Sequence, residues 1–582
     1  MPLTPRTPSP VSRAQEALRA MERHAAIPVW IERRSDEHIL EDARRVEERL
    51  ESGEDLPLAG ATVAVKANID VAGLRTSAAH PEYGDAAAAD APAVARLRDA
   101  GAIILGSANM DQFATGLVGT RSPYGALESV THPGRVAGGS SSGSAVAVAS
   151  GIADIALGTD TAGSGRVPAS FNGIVGVKAS RGLVPAAGVV PASRSYDCVT
   201  VFARDLGLAT TALSVIIGPH DADPLSRSWP ADMPLAAPAR PRVGIPVPAQ
   251  LATLDEERRS RFAACAEALR ARGADVTEVS IADLLDAARL LYEGALVAER
   301  AAAYGDFLPA HPEGADPTVA RIAQAAGRFD AVSLVRDVEQ LDRYRAAART
   351  LLADLDALLV PTAPRHPTLD DVAGDPIGVN AQVGTYTNFL NLLDLCGVAV
   401  PVADTSTGGF GVTVVAPAFH DQVALDIAAD VVGDPRPTLR HGHEHDVVVF
   451  GAHMSGLPLN TQLTERGARF VGRVTTAPRY RMVDLPGPID RPGVAPATDG
   501  PGHAISGERW SLSPAALASL VSVLTEPMAV GPVVLEDGST VTGFLCSRME
   551  GPDISAVGDW RAHRASGDAP RESLEAREPR TL

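Results

Sequence analysis

The sequence predicts an α/β fold for a large first domain and a smaller, mostly β or α+β module at the C-terminal end. Two observations predict it. From Ala14 to about Leu355, short apolar runs such as TVAVK and AIIL alternate with longer segments of helical spacing, and DALLVPTAP adds a further apolar strand with a sharp stop. That is the pattern of a sheet covered by helices. A charged, proline-bearing stretch, GDPRPTLRHGHEHD, then precedes VVVFGAHMSGLPLNTQL and GSTVTGFLCS, whose turns and alternating runs read as a separate module. The expected divisions are a disordered N-terminus at 1–13, a first domain at 14–433, a linker at 434–446, a second domain at 447–562 and a tail at 563–582.

In chain order, MPLTPRTPSPVSR is rich in Pro, Ser and Thr and lacks the apolar core of a leader peptide. AQEALRAMERHAA and SDEHILEDARRVEERL carry helical spacing with heavy surface charge. GATVAVKANI alternates as a strand entering the core and contains Lys66. Its amine is either buried there or reaches back to solvent, and spacing alone leaves both open. APAVARLRDAGAIILGSANM reads as a helix and a strand. The proline-rich PADMPLAAPARPRVGIPVPAQL is expected to be a connection inside the first domain.

The formal net charge of −19 disfavours nucleic acid or an anionic membrane as a partner. The four cysteines, Cys198, Cys265, Cys396 and Cys546, are scattered without CxxC spacing, which fits a reducing compartment. No apolar run approaches the ~20 residues that span a bilayer, and the expected location is cytoplasmic. HGHEH at 441–445 has ligand-type residues for a metal, but in a proline-bearing connection it reads as a solvated linker. No metal and no cofactor is expected.

The chemistry concentrates in residues 136–178, VAGGSSSGSAVAVASGIADIALGTDTAGSGRVPASFNGIVGVK. A flexible linker would stay polar, yet here the apolar run AVAVASGIADIAL lies between two Gly/Ser clusters. The pattern suits two built loops flanking a buried helix, with hydroxyls beside backbone that glycine lets approach a substrate closely. Two ordinary glycine-rich turns around a core helix would share the composition.

GGSSSGSAVAVASG followed by GTDTAGSGRVPA resembles the signature of the amidase signature family. The resemblance implies a mixed sheet covered by helices on both faces, and a Ser–cis-Ser–Lys triad. By motif position these are Ser164 as nucleophile, Ser140 following a cis peptide bond, and Lys66 as the final base. A serine hydroxyl must hand its proton to a neighbour during attack, and Lys66 accepts it only when neutral, which burial favours. The turn before the nucleophile offers the N–H groups of Thr161, Ala162, Gly163 and Ser164 to the oxyanion. NMDQFATGLVGTRSPYG resembles the family's approach to the first serine loop, with Ser107 and Ala108 where Lys-Thr is usual. SRSYDCVTVFARD resembles its Ser…Asp packing motif, around Ser195 and Asp197.

The wording GTYTNFLNLLDL is nearer to allophanate hydrolases than to amidases at large, and the resemblance covers roughly residues 25 to 560. In LLYEGALVAERAA, Tyr292 and Arg300 are eight residues apart, a little over two helical turns, so both are expected to project from nearly the same face. A phenol and a guanidinium there suit a small carboxylate, while a core-edge tyrosine and a surface arginine share the spacing. The resemblance implies that this pair anchors the substrate carboxylate. It also implies release of ammonia and carbon dioxide from allophanate without ATP, and pairing as a homodimer.

The rival readings are a broader amidase or an ammonia-generating component of an amidotransferase, and an inactive assembly protein. VVVFGAHMSG resembles the glycine-bearing loop of gamma-glutamylcyclotransferase-like domains, with His453 at a pocket mouth. A structural hydrogen bond would equally explain that histidine. The acidic residue of such domains has two candidates, Glu508 and Glu526.

Overall fold

The computed structural model describes residues 8–498 and 500–566. They form two units: 8–230 with 239–441, and 231–238 with 442–566.

The first unit is built on one mixed sheet. Its strands are β1 Trp30–Arg33, β2 Thr62–Lys66, β3 Ile103–Ala108, β4 Ile155–Asp160, β5 Val175–Lys178, β6 Cys198–Ala203, β7 Arg242–Pro246, β8 Asp275–Val279, β9 Ala357–Pro361, β10 Leu395–Pro401 and β11 Gly411–Pro417. The order is β1-β3-β2-β4-β6-β5-β10-β11-β9-β7-β8. β3, β2 and β4 run parallel, as do β9, β7 and β8, and antiparallel pairs join the two sets. The central strands β2, β3, β4 and β6 are buried along their whole length, which is why they read as largely apolar runs with no polar face.

The short helix Ser142–Ala149 is buried from Ser142 to Val148 and packs on β2 and β4. Its apolar composition all round matches burial on every side. This is the apolar run between the two Gly/Ser clusters. Because β2 and β4 are adjacent and parallel, with Val65 opposite Leu157, their C-terminal ends deliver Lys66 and the 160–164 loop to the same edge of the sheet.

The second unit has a five-stranded sheet and a separate hairpin. With β12 His445–Val449, β13 Arg469–Thr475, β14 Tyr480–Leu485, β15 Arg491–Pro496, β16 Ser506–Leu512, β17 Met528–Val534 and β18 Thr540–Cys546, the sheet order is β13-β16-β12-β18-β17, and β14 pairs with β15. Val447, Val448 and Val449 lie in its core with Trp510, Phe544 and Trp560.

Four expected boundaries move. A helix already starts at Pro10, because Ser9 accepts a capping bond from Ser12 N–H and Pro10 has the fixed φ suited to a first turn; the part of the expected disordered N-terminus at 1–7 lies outside the described residues. The linker is shorter than 434–446, since His445 opens β12. The helix Trp560–Ala565 replaces the start of the expected tail, with Trp560 buried; residues 567–582 lie outside the described residues. The proline-rich connection is not confined to the first domain. Leu235 N–H donates to Gly467 O at 2.8 Å and Ala515 N–H to Ala231 O at 3.0 Å, so residues 231–238 belong with the second unit, while Arg242–Pro246 returns as β7.

Among the described residues no His/Cys/Asp/Glu group has the geometry to hold a metal, and no helix is long and apolar enough to cross a membrane. In HGHEH, His441 stacks on Trp229 at 4.7 Å and His445 is a strand residue.

Candidate active site

Lys66 ends β2 with its amine completely buried. Nζ donates to Ser140 Oγ at 2.8 Å and to Thr159 Oγ1 at 2.8 Å. Burial lowers its pKa from 10.5 to about 7, against the raising pull of Asp111, Asp197 and Asp160. An amine so poised beside a serine hydroxyl is able to take a proton from it near neutrality.

Ser140 follows a cis Gly139–Ser140 peptide bond. Gly139 is required sterically: a Cβ there would stand 2.0 Å from Asp111 Oδ2 and 2.6 Å from Gly119 N. The Asp111 carboxylate accepts from Gly119 N–H at 3.0 Å and Arg121 N–H at 2.9 Å, and Asp111 N–H donates to Ser140 O at 3.0 Å. This aspartate ties the 109–121 segment to the first serine loop.

The second loop leaves β4 at Asp160 and is held by a buried ion pair. Arg166 Nε donates to Asp160 Oδ2 and its Nη2 to Oδ1, both at 2.9 Å. Burial raises the Asp160 pKa, but Arg166 and the Gly165 N–H outweigh it and hold the carboxyl below its usual range. Arg166 also donates to Thr387 O at 3.1 Å, and Asn391 Nδ2 donates to Asp160 O at 2.7 Å. Sequence reasoning misses Asp160, Arg166, Asn391 and Asp111. Asp160 and Arg166 flank the serine within the motif, and Asp111 and Asn391 lie in NMDQFATGLVGTRSPYG and GTYTNFLNLLDL, so those segments carry the available signal.

Ser164 is buried, and its hydroxyl donates to Gly116 O at 3.4 Å rather than to Ser140. Gly163, at φ +134°, packs against Thr387, where a Cβ would come within 2.4 Å of Oγ1. One expected oxyanion donor is corrected: Gly163 N–H is already bonded to Asp160 Oδ1 at 2.9 Å. The carboxylate that closes the turn consumes this group. The N–H groups of Thr161, Ala162 and Ser164 donate to no acceptor among the described residues.

Asp197 supports the start of this turn. Its buried carboxylate accepts from the Thr161 hydroxyl and from Ala192 N–H at 2.9 Å, and burial lifts its pKa to about 6. Ser195 makes a different contact, its N–H donating to Glu299 Oε2 at 3.0 Å.

Tyr292 and Arg300 do meet, but not on one helix. The helix Ala282–Glu293 stops at Gly294, where the backbone becomes extended, and Arg300 lies in the short helix Ala298–Arg300. The turn folds the guanidinium back over the Tyr292 ring, Cζ lying 4.5 Å from its centroid. Arg300 is completely buried, and none of its three side-chain nitrogens has a hydrogen-bond partner among the described residues. Burial penalises the cation, but Tyr292, Tyr304 and Asp197 outweigh it and hold the guanidinium above its usual range. Tyr292 also lines a cavity of about 760 Å³ whose wall includes Gly384, Thr385 and Asn388, from the turn that precedes and contains Thr387, the residue packed on Gly163.

In the second unit His453 lines a cavity of about 200 Å³ with Gln462, Arg491, Thr525 and Phe544. Its Nε2 lies 3.1 Å from Gln462 Oε1, and burial lowers its pKa below the usual histidine value. Neither acidic candidate lines this cavity. Glu508 accepts from Ser455 N–H at 2.7 Å and Arg561 Nη2 at 2.9 Å, pinning the 451–456 loop, while Glu526 pairs with Arg548.

A mixed sheet carrying these two serine loops and a buried lysine defines an amidase-type chain. The family model described as Amidase matches residues 16–425, and the chain belongs to the amidase family. A second model, the allophanate hydrolase C-terminal domain, matches residues 445–565. The selenomethionine-substituted Kluyveromyces lactis allophanate hydrolase superposes with a TM-score of 0.84 at 35% identity, over 96% of this chain and 97% of that one. Saccharomyces cerevisiae urea amidolyase is 38% identical over 570 residues, covering 92% of this chain and 31% of that protein. The chain therefore spans about a third of the length of the urea amidolyases it matches. A glutamyl-tRNA(Gln) amidotransferase component from Natronomonas pharaonis is 35% identical, over 65% of this chain and 96% of its own length.

Proposed function

We propose that this chain hydrolyses allophanate to ammonia and carbon dioxide, as in urea breakdown. The observation that carries this reading is Arg300, a buried guanidinium stacked on Tyr292 whose nitrogens make no hydrogen bond among the described residues. It suits a small substrate with a carboxylate at one end and an amide at the other. The second unit supports it too, because its family model bears the allophanate hydrolase name and the amidotransferase component covers only 65% of the chain.

In the proposed cycle Ser164 Oγ turns from Gly116 O towards Ser140 and attacks the terminal amide carbon. Its proton passes to Ser140 Oγ as the Ser140 proton passes to Lys66 Nζ. The N–H groups of Thr161, Ala162 and Ser164 receive the oxyanion. Collapse of the intermediate returns a proton to the leaving nitrogen and releases ammonia. Water then frees the acyl group from Ser164 by the same relay, giving a dicarboxylated amine that still holds one nitrogen. Homodimer formation and a cytoplasmic location belong to the same proposal.

The test is ammonia release from allophanate beside urea, biuret and simple amides. Preference for allophanate supports the reading, and equal rates on neutral amides turn it towards a broader amidase. The pH profile adds a check on the base. With Lys66 titrating at about 7, the neutral fraction grows about tenfold from pH 6 to pH 8, so kcat/KM should rise over that interval and then level off. A flat profile in a chemistry-limited reaction counts against lysine as the base.

His453 is proposed to speed breakdown of the carboxylated first product in the second unit. The neutral imidazole is held through Nε2 by Gln462, in a cavity that also contains Arg491. His453→Ala should leave the first ammonia unchanged and slow the second, followed as two phases of ammonia release. Total release matching the parent protein would make the module an interaction domain. A point variant is cleaner than truncation at residue 440, which would strip residues 231–238 of their partners.

A further inference from the structure

We infer that Arg321 and Arg328, which line the 760 Å³ cavity, attract the anionic substrate and set a salt-dependent part of its capture. This rests on the proposed carboxylated substrate. The protein carries a net charge of −19, so a small anion approaching at random meets repulsion. The cavity departs from that average: four arginines, Arg121, Arg289, Arg321 and Arg328, line it against one carboxylate, Glu293.

Glu293 is already neutralised by Arg289, whose Nε donates to it at 3.0 Å. Arg121 is buried and bonded to the Thr115 and Pro376 carbonyls, so it is a fixed positive wall. Arg321 and Arg328 are exposed and form no ion pair among the described residues. Arg328 touches the Ala325 carbonyl, at 3.3 Å, and the face of Phe329. These two charges are free to act through solvent on an incoming anion, and Tyr292, which lines the same cavity, carries the buried Arg300 against its ring. A low-dielectric cleft of one sign focuses the field and raises local substrate concentration.

Each arginine is worth roughly twofold in capture at about 10 Å and low ionic strength, and screening removes this above physiological salt. The experiment measures kcat/KM for allophanate against sodium chloride in the parent protein and in Arg321→Gln/Arg328→Gln. The parent should lose activity as salt rises, although its net charge predicts the opposite slope. The double variant should be about fourfold lower at low salt, flat or rising with salt, and unchanged in kcat. A neutral amide should show neither effect. Calorimetric binding of oxamate to Ser164→Ala protein, with and without the two replacements, reads the same dependence without turnover. Thus absence of allophanate hydrolysis would overturn the proposed substrate, while oxamate still decides the role of the arginines. A parent slope that rises with salt, or a double variant matching the parent at low salt, overturns the inference.

Discussion

Ser164→Ala should lower kcat by at least about a thousandfold while leaving the fold intact. Deleting the nucleophile of a serine relay leaves only binding and the oxyanion donors. The fold has little to lose, because the hydroxyl makes one long bond, 3.4 Å to Gly116 O, and the loop is held by Asp160 and Arg166. Lys66→Ala should be comparably severe, and the double variant no worse than the more damaged single, since the residues act as one chain of proton transfers. Thermal unfolding and single-turnover ammonia release measured together check this. A Ser164→Ala protein that folds normally and keeps most of its activity would remove Ser164 from the mechanism.

The second large effect separates function from stability at Arg300. Arg300→Met should raise KM for allophanate roughly tenfold to a hundredfold, the worth of a charge-assisted contact of about 1.5 to 3 kcal/mol. Neutral amides should be nearly unaffected. The same change should leave Tm nearly unchanged, because the three guanidinium nitrogens make no hydrogen bond among the described residues, although Tyr292 and Asp197 favour the charge. Kinetics on both substrate types with a melting curve decide it. Equal losses on both, with a lower Tm, would make Arg300 a structural residue.

The two serine loops are legible in the sequence because they are local. GGSSSGS and TAGSGR concentrate glycine where backbone must pass close to its neighbours, and Gly139 and Gly163 have no room for a Cβ. The helix between them is legible from its unbroken apolar run, and β2 from the short apolar run that ends at Lys66. The Tyr292–Arg300 spacing leads to a correct encounter for the wrong geometric reason. A single helix would align them, whereas the break at Gly294 folds one over the other.

The sequence by itself determined the α/β class and the two-unit plan, because propensity and periodicity are properties of neighbouring residues, while the mixed sheet and the motif residues were what the family resemblance implied. Only the tertiary structure decided which N–H groups are free, since Gly163 is claimed by Asp160 through a turn that spacing does not describe. It also decided the lysine. Burial that moves an amine from 10.5 to about 7 is made by strands and loops far apart in the chain, with Ser140 arriving from 74 positions away. Desolvation depends on everything that surrounds a group, and the linear order of residues does not contain that list.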